Sequence, residues 1–302
     1  MWIIKNRTFF FWLTGLILVS AVVALFVFPL KLSIEFTGGS LVEVAYEGER
    51  PAAGDIKQQL IQAGLAEASV RESGESGISI RTHALTGQEY EELLAVLRDD
   101  GNRSVQELRF NSIGPSLGSE LATKALYAIA AVMLTIVLYI AFVFRKVSKP
   151  VPSWGYGLIV VAMLAIDVIV PAGFFAAYAH VTGAVADPLF VVALLALLGY
   201  CVNDVIVIFD RIRENLKKNE DLHRQEAFEV TVGRSIDETL GRSINTSVTV
   251  ALALVAIIFF GAEVTKNFAI VMLVGVVIGT FSSIARSAPL LIPLAERFQN
   301  KT

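Results

Sequence analysis

The chain has 302 residues, 55% of them hydrophobic and only 18% charged, with mean hydropathy +0.64 and a formal net charge of -3. Soluble domains carry about a quarter charged residues, so long apolar stretches hold the excess and the chain reads as an integral membrane protein. The acidic balance argues against a nucleic-acid partner; the single cysteine, Cys201, excludes an internal disulfide and a Cys-based metal site, and His83, His180 and His223 lack metal-ligand spacing.

From the N-terminus, Lys5 and Arg7 precede an apolar run at 8–30. The run is too long for a signal-peptide core and has no small-x-small cleavage site, so it predicts a retained first span with the N-terminus in the cytoplasm. The composition then changes, and 31–119 holds many charges and no spanning segment. Residues 41–46 predict a strand, 52–63 a helix ended by Gly64, and 69–72 and 78–82 two short strands. Thr86-Gly87-Gln88-Glu89 fits a capping box for a helix reaching Asp99, with Gly101 behind it, and 105–110 alternates like a last strand. The order β-α-β-β-α-β is the ferredoxin-like pattern and predicts a compact α+β unit of about 90 residues, a size that folds alone. At its two ends, Ile34-Glu35-Phe36-Thr37-Gly38-Gly39-Ser40 and Ile113-Gly114-Pro115-Ser116-Leu117-Gly118 read as a glycine turn and a fixed bend.

Five further spans are predicted at 121–144, 158–179, 188–209, 243–260 and 267–294, making a five-helix membrane unit over 120–294. The second span ends at Arg145, Lys146 and Lys149; a charged loop at 210–242 separates the fourth from the fifth; 261–266 turns tightly into the sixth. The positive charge gathers at the N-terminus, at 145–149 and at 211–242, which by the positive-inside rule makes both termini cytoplasmic and puts 31–119 outside. Gly275, Gly279, Ser282 and Ser283 recur at helical spacing in the sixth span and would let another helix approach closely.

The fourth span carries the sequence's sharpest chemical signal. Asp204 stands six residues before the charged break at Asp210, which at the helical rise is about 9 Å deep. An ionisable group within a span costs about 2.5–3.5 kcal/mol on insertion scales and is a functional candidate by default; a structural role, as glue between two helices, is the alternative. Asn203 sits beside it, and Arg242, Ser243, Asn245, Thr246, Ser247 and Thr249 gather at the start of the fifth span. Arg242 read alone is equally a membrane-edge charge that sets topology. Asp167 is the ionisable group of the third span, with a helix-bridging role as its plain alternative. Arg286, in the sixth, is expected to reach toward the cytoplasm beside Pro289. No P-loop, nucleophile elbow or metal motif is present, so neither ATP nor any cofactor is expected.

Gly199-Tyr200, Asn203-Asp204 and Phe209-Asp210-Arg211-Ile212-Arg213-Glu214-Asn215 together resemble the fourth-span signature of the SecF family of protein-export membrane proteins, in the resistance-nodulation-division superfamily. The stretch Ser235-Ile236-Asp237-Glu238-Thr239-Leu240-Gly241-Arg242-Ser243-Ile244-Asn245-Thr246-Ser247 is similar to that family's fifth-span motif, and Gly279-Thr280-Phe281-Ser282-Ser283 to its sixth. The junctions resemble its entry and exit motifs, with Glu35 where Asp is usual. Asp167 matches the third-span Asp, but Ile166 replaces the usual preceding His, so no His–Asp relay is expected there; Arg286 has no counterpart in the motif. The resemblance implies six spans and one periplasmic ferredoxin-like domain in the bacterial inner membrane. It implies a complex with SecD, cooperation with the SecYEG channel, an unfolded preprotein as substrate, and protons as coupling ion for late steps of export. It makes Asp204 and Arg242 the relay, with Asn203, Asp167, Asn245 and Thr246 in support. A small-molecule exporter of the same superfamily would want larger outer domains, and a passive scaffold for SecD would leave Asp204 and Arg242 without a use.

Overall fold

The structure is a computed structural model and describes residues 2–65, 68–74, 76–99, 101–143 and 151–299. It divides into two compact units, Met1–Lys31 with Tyr127–Thr302, and Leu32–Leu126. Among the described residues six helices are long and apolar enough to cross a membrane.

The first span is α1 (Arg7–Val27), 21 residues, whose length at about 1.5 Å per residue matches a hydrocarbon core of about 30 Å. The Leu32–Leu126 unit follows. It holds β1 (Gly39–Tyr46), α2 (Ala53–Gln62), β2 (Ser69–Ser73), β3 (Gly77–Thr82), α3 (Gly87–Arg98) and β4 (Val105–Ile113). The strand order is β2-β3-β1-β4 and every pairing is antiparallel, as the ferredoxin-like pattern requires. Alternation sends Val42, Val44, Tyr46, Ile78 and Ile80 to one face, where they pack on Ile56, Leu60, Leu93 and Leu97 of the two helices. The expected capping box forms: the Glu89 carboxylate accepts from the Thr86 amide at 2.8 Å, and the Glu89 amide donates back to the Thr86 hydroxyl at 3.4 Å.

β1 and β4 extend furthest beyond the predicted strands, because Gly39 pairs with Ile113 and Ser40 with Ser112. Ser40 is buried there, donating to the Ser112 hydroxyl at 2.8 Å and accepting from the Leu85 amide at 2.9 Å. The pairing brings the entry and exit junctions together. Gly38 has φ +76°, and a Cβ on it would lie 2.6 Å from Pro115 Cα, while one on Gly118 would lie 2.5 Å from the Gly38 nitrogen. Glycine is required at both by contact alone, and at Gly38 by backbone conformation as well.

The remaining spans are α4 (Pro115–Val143), α5 (Ser153–Thr182), α6 (Pro188–Asp221), α7 (Phe228–Phe260) and α8 (Glu263–Ser282), the last continued by a π-turn (Ser283–Ser287) and α9 (Ala288–Gln299). The helix that carries the second span thus starts at Pro115, ahead of the span predicted from 121, since proline is pre-organised for a first helical turn. The predicted end of that span at 144 and the cationic 145–149 lie outside the described residues.

The charged segment at 210–242, expected as a loop, is a correction: α6 continues to Asp221 and α7 starts at Phe228. Arg, Glu and Lys are good helix formers, so loss of hydrophobicity marks the membrane edge without ending the helix. Arg211 pairs with Glu214 at 2.9 Å and Arg213 with Asp210 at 2.8 Å. Two buried asparagines then fasten the extensions: Asn215 donates to Ser235 and Glu238 at 3.0 and 2.9 Å, and Asn219 to Thr231 and Glu226 at 3.0 and 2.8 Å. Glu226, which also meets Arg234 at 2.9 Å, is held below the usual carboxylate range by the Thr231 and Asn219 hydrogen bonds, against a smaller opposing effect of burial.

Within the membrane unit, close helix approach rests on glycine. A Cβ on Gly173 of α5 would lie 2.4 Å from the Ala21 carbonyl oxygen of α1. On α8, a Cβ at Gly275 would lie 2.2 Å from Leu197, and one at Gly279 2.3 Å from Cys201 Sγ. Two contacts one turn apart therefore seat α8 on α6.

Candidate functional site

Asp204 lies on the inward face of α6, one turn after Cys201 and 5% exposed. Its Oδ2 has no hydrogen-bond partner among the described residues. On α7, the buried Ser243 is its hydrogen-bonding neighbour, and the charge of Arg242 reaches it. A carboxylate so placed is poorly solvated and weakly compensated, which leaves its charge state open to small changes in its surroundings.

Next to it, three hydroxyls join three helices. Tyr200 on α6 shares a hydrogen bond with Ser247 on α7 at 2.8 Å, and Ser247 another with Thr280 on α8 at 2.5 Å. Ser243 and Ser247, four residues apart, thus make the inward face of α7.

The other predicted residues lie on the opposite side. Arg242, Asn245, Thr246 and Thr249 are all exposed and recur at helical spacing on one outward stripe of α7, and Asn203 of α6 is exposed too. Thr246 returns its hydroxyl to the Arg242 carbonyl at 2.9 Å and Thr249 to Asn245 at 2.8 Å. Among the described residues Asp204 and Arg242 do not form an ion pair: the carboxylate faces into the bundle and the guanidinium faces out.

The ion pair inside the bundle is a different one. Arg286 Nη2 lies 3.5 Å from Asp167 Oδ1, with the two side chains 3% and 2% exposed. This corrects the expectation that Arg286 reaches the cytoplasm. Ser282, Ser283 and Ser287 are fully buried around the π-turn, so the segment packs inward, and the Asp167 carboxylate offers a counter-charge where no water competes. The guanidinium carbon also stands 6.0 Å from the Phe281 ring centroid, a range at which a cation is attracted to a ring face. A signal for the pair was present in the sequence: each residue is a single charge well inside an apolar span, and the two are opposite in sign.

Residues 93–297 match the family of the protein export membrane protein SecD/SecF, C-terminal, and 23–49 match the SecD/SecF GG motif, which contains Gly38 and Gly39. The chain is 38% identical to the protein translocase subunit SecF of Thermobaculum terrenum, covering 96% of this chain and 92% of that one. It is 32% identical to the subunit of the same name from Escherichia coli O157:H7, over 94% of this chain and 84% of the other. The fold is similar to the crystal structure of SecDF, a translocon-associated membrane protein from Thermus thermophilus, with TM-score 0.82 and 28% identity over 97% of this chain. This chain spans 38% of that SecDF chain's length. SecDF in a super-membrane-facing form matches with TM-score 0.68 and 28% identity, over 99% of this chain and 39% of that one.

Proposed function

We propose a function from one premise: the chain belongs to the SecD/SecF family of protein-export membrane proteins, as a SecF translocase subunit. On that premise it works in a complex with SecD beside the SecYEG channel, drawing on the proton-motive force to promote late steps of preprotein movement. The membrane is the bacterial inner membrane, with both termini cytoplasmic and the Leu32–Leu126 unit on the outer side. Lys5, Arg7 and the charged ends of α6 and α7 support that orientation.

The observation that carries the reading is Asp204, a carboxyl 5% exposed in a membrane helix, with one oxygen unpartnered among the described residues. It is the proton carrier. One elementary charge crossing the membrane releases about 2.3 kcal/mol per 100 mV, an energy source that works where ATP is absent. Arg242 is its electrostatic partner from the outward stripe, and Asn203, Asn245 and Thr246 are the polar groups that a SecD helix covers, since polar side chains on a lipid face are costly.

The test is proton-gradient-dependent release of preprotein from vesicles, normalised to the amount of complex. Asp204→Asn keeps shape and most hydrogen bonding but holds no exchangeable acid proton. It is expected to assemble with SecD and to lose gradient-dependent release. Wild-type rates with Asp204→Asn would make Asp204 structural and the subunit a scaffold.

A further inference from the structure

The membrane unit holds a second carboxyl that the function above does not use. Asp167 and Arg286 form an ion pair at 3.5 Å, yet among the described residues Nε and Nη2 of Arg286 have no hydrogen-bond partner, and the donors that approach the Asp167 carboxylate are the Ser282 hydroxyl and the Cys201 thiol. A guanidinium carries five donors and an ionised carboxylate about four acceptor sites, which a pair built only to hold helices together fills in bidentate fashion. This pair is close enough for charge to act and too open to be saturated.

The place of the pair in the bundle gives the openness a direction. Cys201 of α6 faces Asp167 and also senses the charges of Asp204 and Arg286. It lies one turn from Asp204 on the same helix face. Arg286, Asp167, Cys201 and Asp204 therefore follow one another across α5, α6 and the π-turn. The groups around Asp167 are few: it is the only Asp, Glu, Lys or Arg of α5, α6 adds Cys201 and Asp204, the π-turn adds Arg286, and α7 adds Arg242 beyond Asp204. On α1 the only charged side chain is Arg7 at its first residue, and Glu296 and Arg297 of α9 are exposed. The arginine sits in a π-turn, a helical irregularity often found at working sites.

We propose that Asp167, charge-paired with Arg286, is a second proton-binding carboxyl of this chain, in series with Asp204 along the face of α6 that carries Cys201. The proposal rests on the proton-coupled reading above. In the step, the carboxylic acid at Asp204 gives up its proton and becomes a carboxylate, and Asp167 takes up that proton and becomes a neutral acid. Charge is moved and none is created, and Arg286 loses its counter-charge at that moment.

The test is infrared difference spectroscopy of the full chain with its SecD partner in lipid nanodiscs, titrated with pH while the protonated-carboxyl stretch is followed. The wild type is expected to show two titrating bands in this chain, one removed by Asp204→Asn and the other by Asp167→Asn. Because Asp167→Asn strands a buried arginine, Asp167→Asn/Arg286→Gln is measured beside it and is expected to lose the same band while folding normally. Arg286→Lys, which keeps the charge on a different geometry, is expected to displace the Asp167 band and leave the Asp204 band in place. If the double variant keeps every band, or if Asp204→Asn removes all titrating intensity, Asp167 binds no proton and the inference falls while the function proposed for Asp204 stands. If no carboxyl titrates in the wild type, both fall together.

Discussion

The seat of α8 on α6 makes a prediction whose sign depends on a second residue. A Cβ at Gly279 would stand 2.3 Å from Cys201 Sγ but 3.5 Å from Cys201 Cβ. Gly279→Ala alone therefore drives a methyl into a fully buried sulfur with one rotatable bond, and overpacking of that kind costs about 1–3 kcal/mol. Against this, alanine is favoured over glycine in a helix by about 1 kcal/mol. With Cys201→Ala in place the sulfur is gone, the nearest remaining contact is the ordinary 3.5 Å one, and only the helix preference is left. Gly279→Ala should thus destabilise the wild type and stabilise the Cys201→Ala protein, with a coupling of about 1–3 kcal/mol between the two sites. The measurement is thermal unfolding of the four proteins of the cycle in one detergent, followed by intrinsic fluorescence. Equal shifts from Gly279→Ala in both backgrounds would show that α8 does not rest on Cys201, and the close approach on which the polar series depends would be refuted.

Three more outcomes follow from named contacts. Thr86→Ala removes one half of the capping box at α3 and should cost the Leu32–Leu126 unit about 1 kcal/mol, read from urea unfolding of that unit expressed alone. Glu226 is held below its ordinary value in the folded protein; its contribution is complete above the unfolded Glu value of about 4.3 and is lost as pH falls through the lower folded value, so proteolysis at 222–227 should rise only under acid, and Glu226→Gln should flatten that dependence. Asn215→Ala leaves the Ser235 and Glu238 acceptors without a buried donor and should loosen the joined ends of α6 and α7 by about 1–3 kcal/mol, seen as faster amide exchange there with the α8 seat unchanged.

What the sequence could express about this fold follows from how local each cause is. The capping box at Thr86 and Glu89 was legible because four consecutive residues contain it. The strand pattern was legible where one face is buried, as at Val42 and Val44, and failed beyond Phe110, where β4 is largely exposed and alternation carries no signal. The charged end of α6 was misread because hydropathy reports the membrane edge and says nothing of helix continuity. The deciding contacts, Asn215 to Ser235 and Asn219 to Thr231, are made between helices and are invisible in either one. Arg286 was misplaced for a related reason: its partner stands 119 residues earlier, on α5.

The two buried carboxyls also differ in where their counter-charge lies, and this difference bears on function. Asp167 has its arginine inside the bundle at 3.5 Å. Asp204 has a serine inside, and its arginine on the outward stripe of α7. The field of an exposed guanidinium is strong when a protein helix covers it and weak when water or ions screen it. On the proposed function, a helix docked on Arg242, Asn245 and Thr246 would act directly on Asp204, while Asp167 would be shielded from that event by its own partner. If both carboxyls bind protons as proposed, one tuned from the outward stripe and the other from within would respond to different moments of a cycle, and that separation would give proton movement a direction.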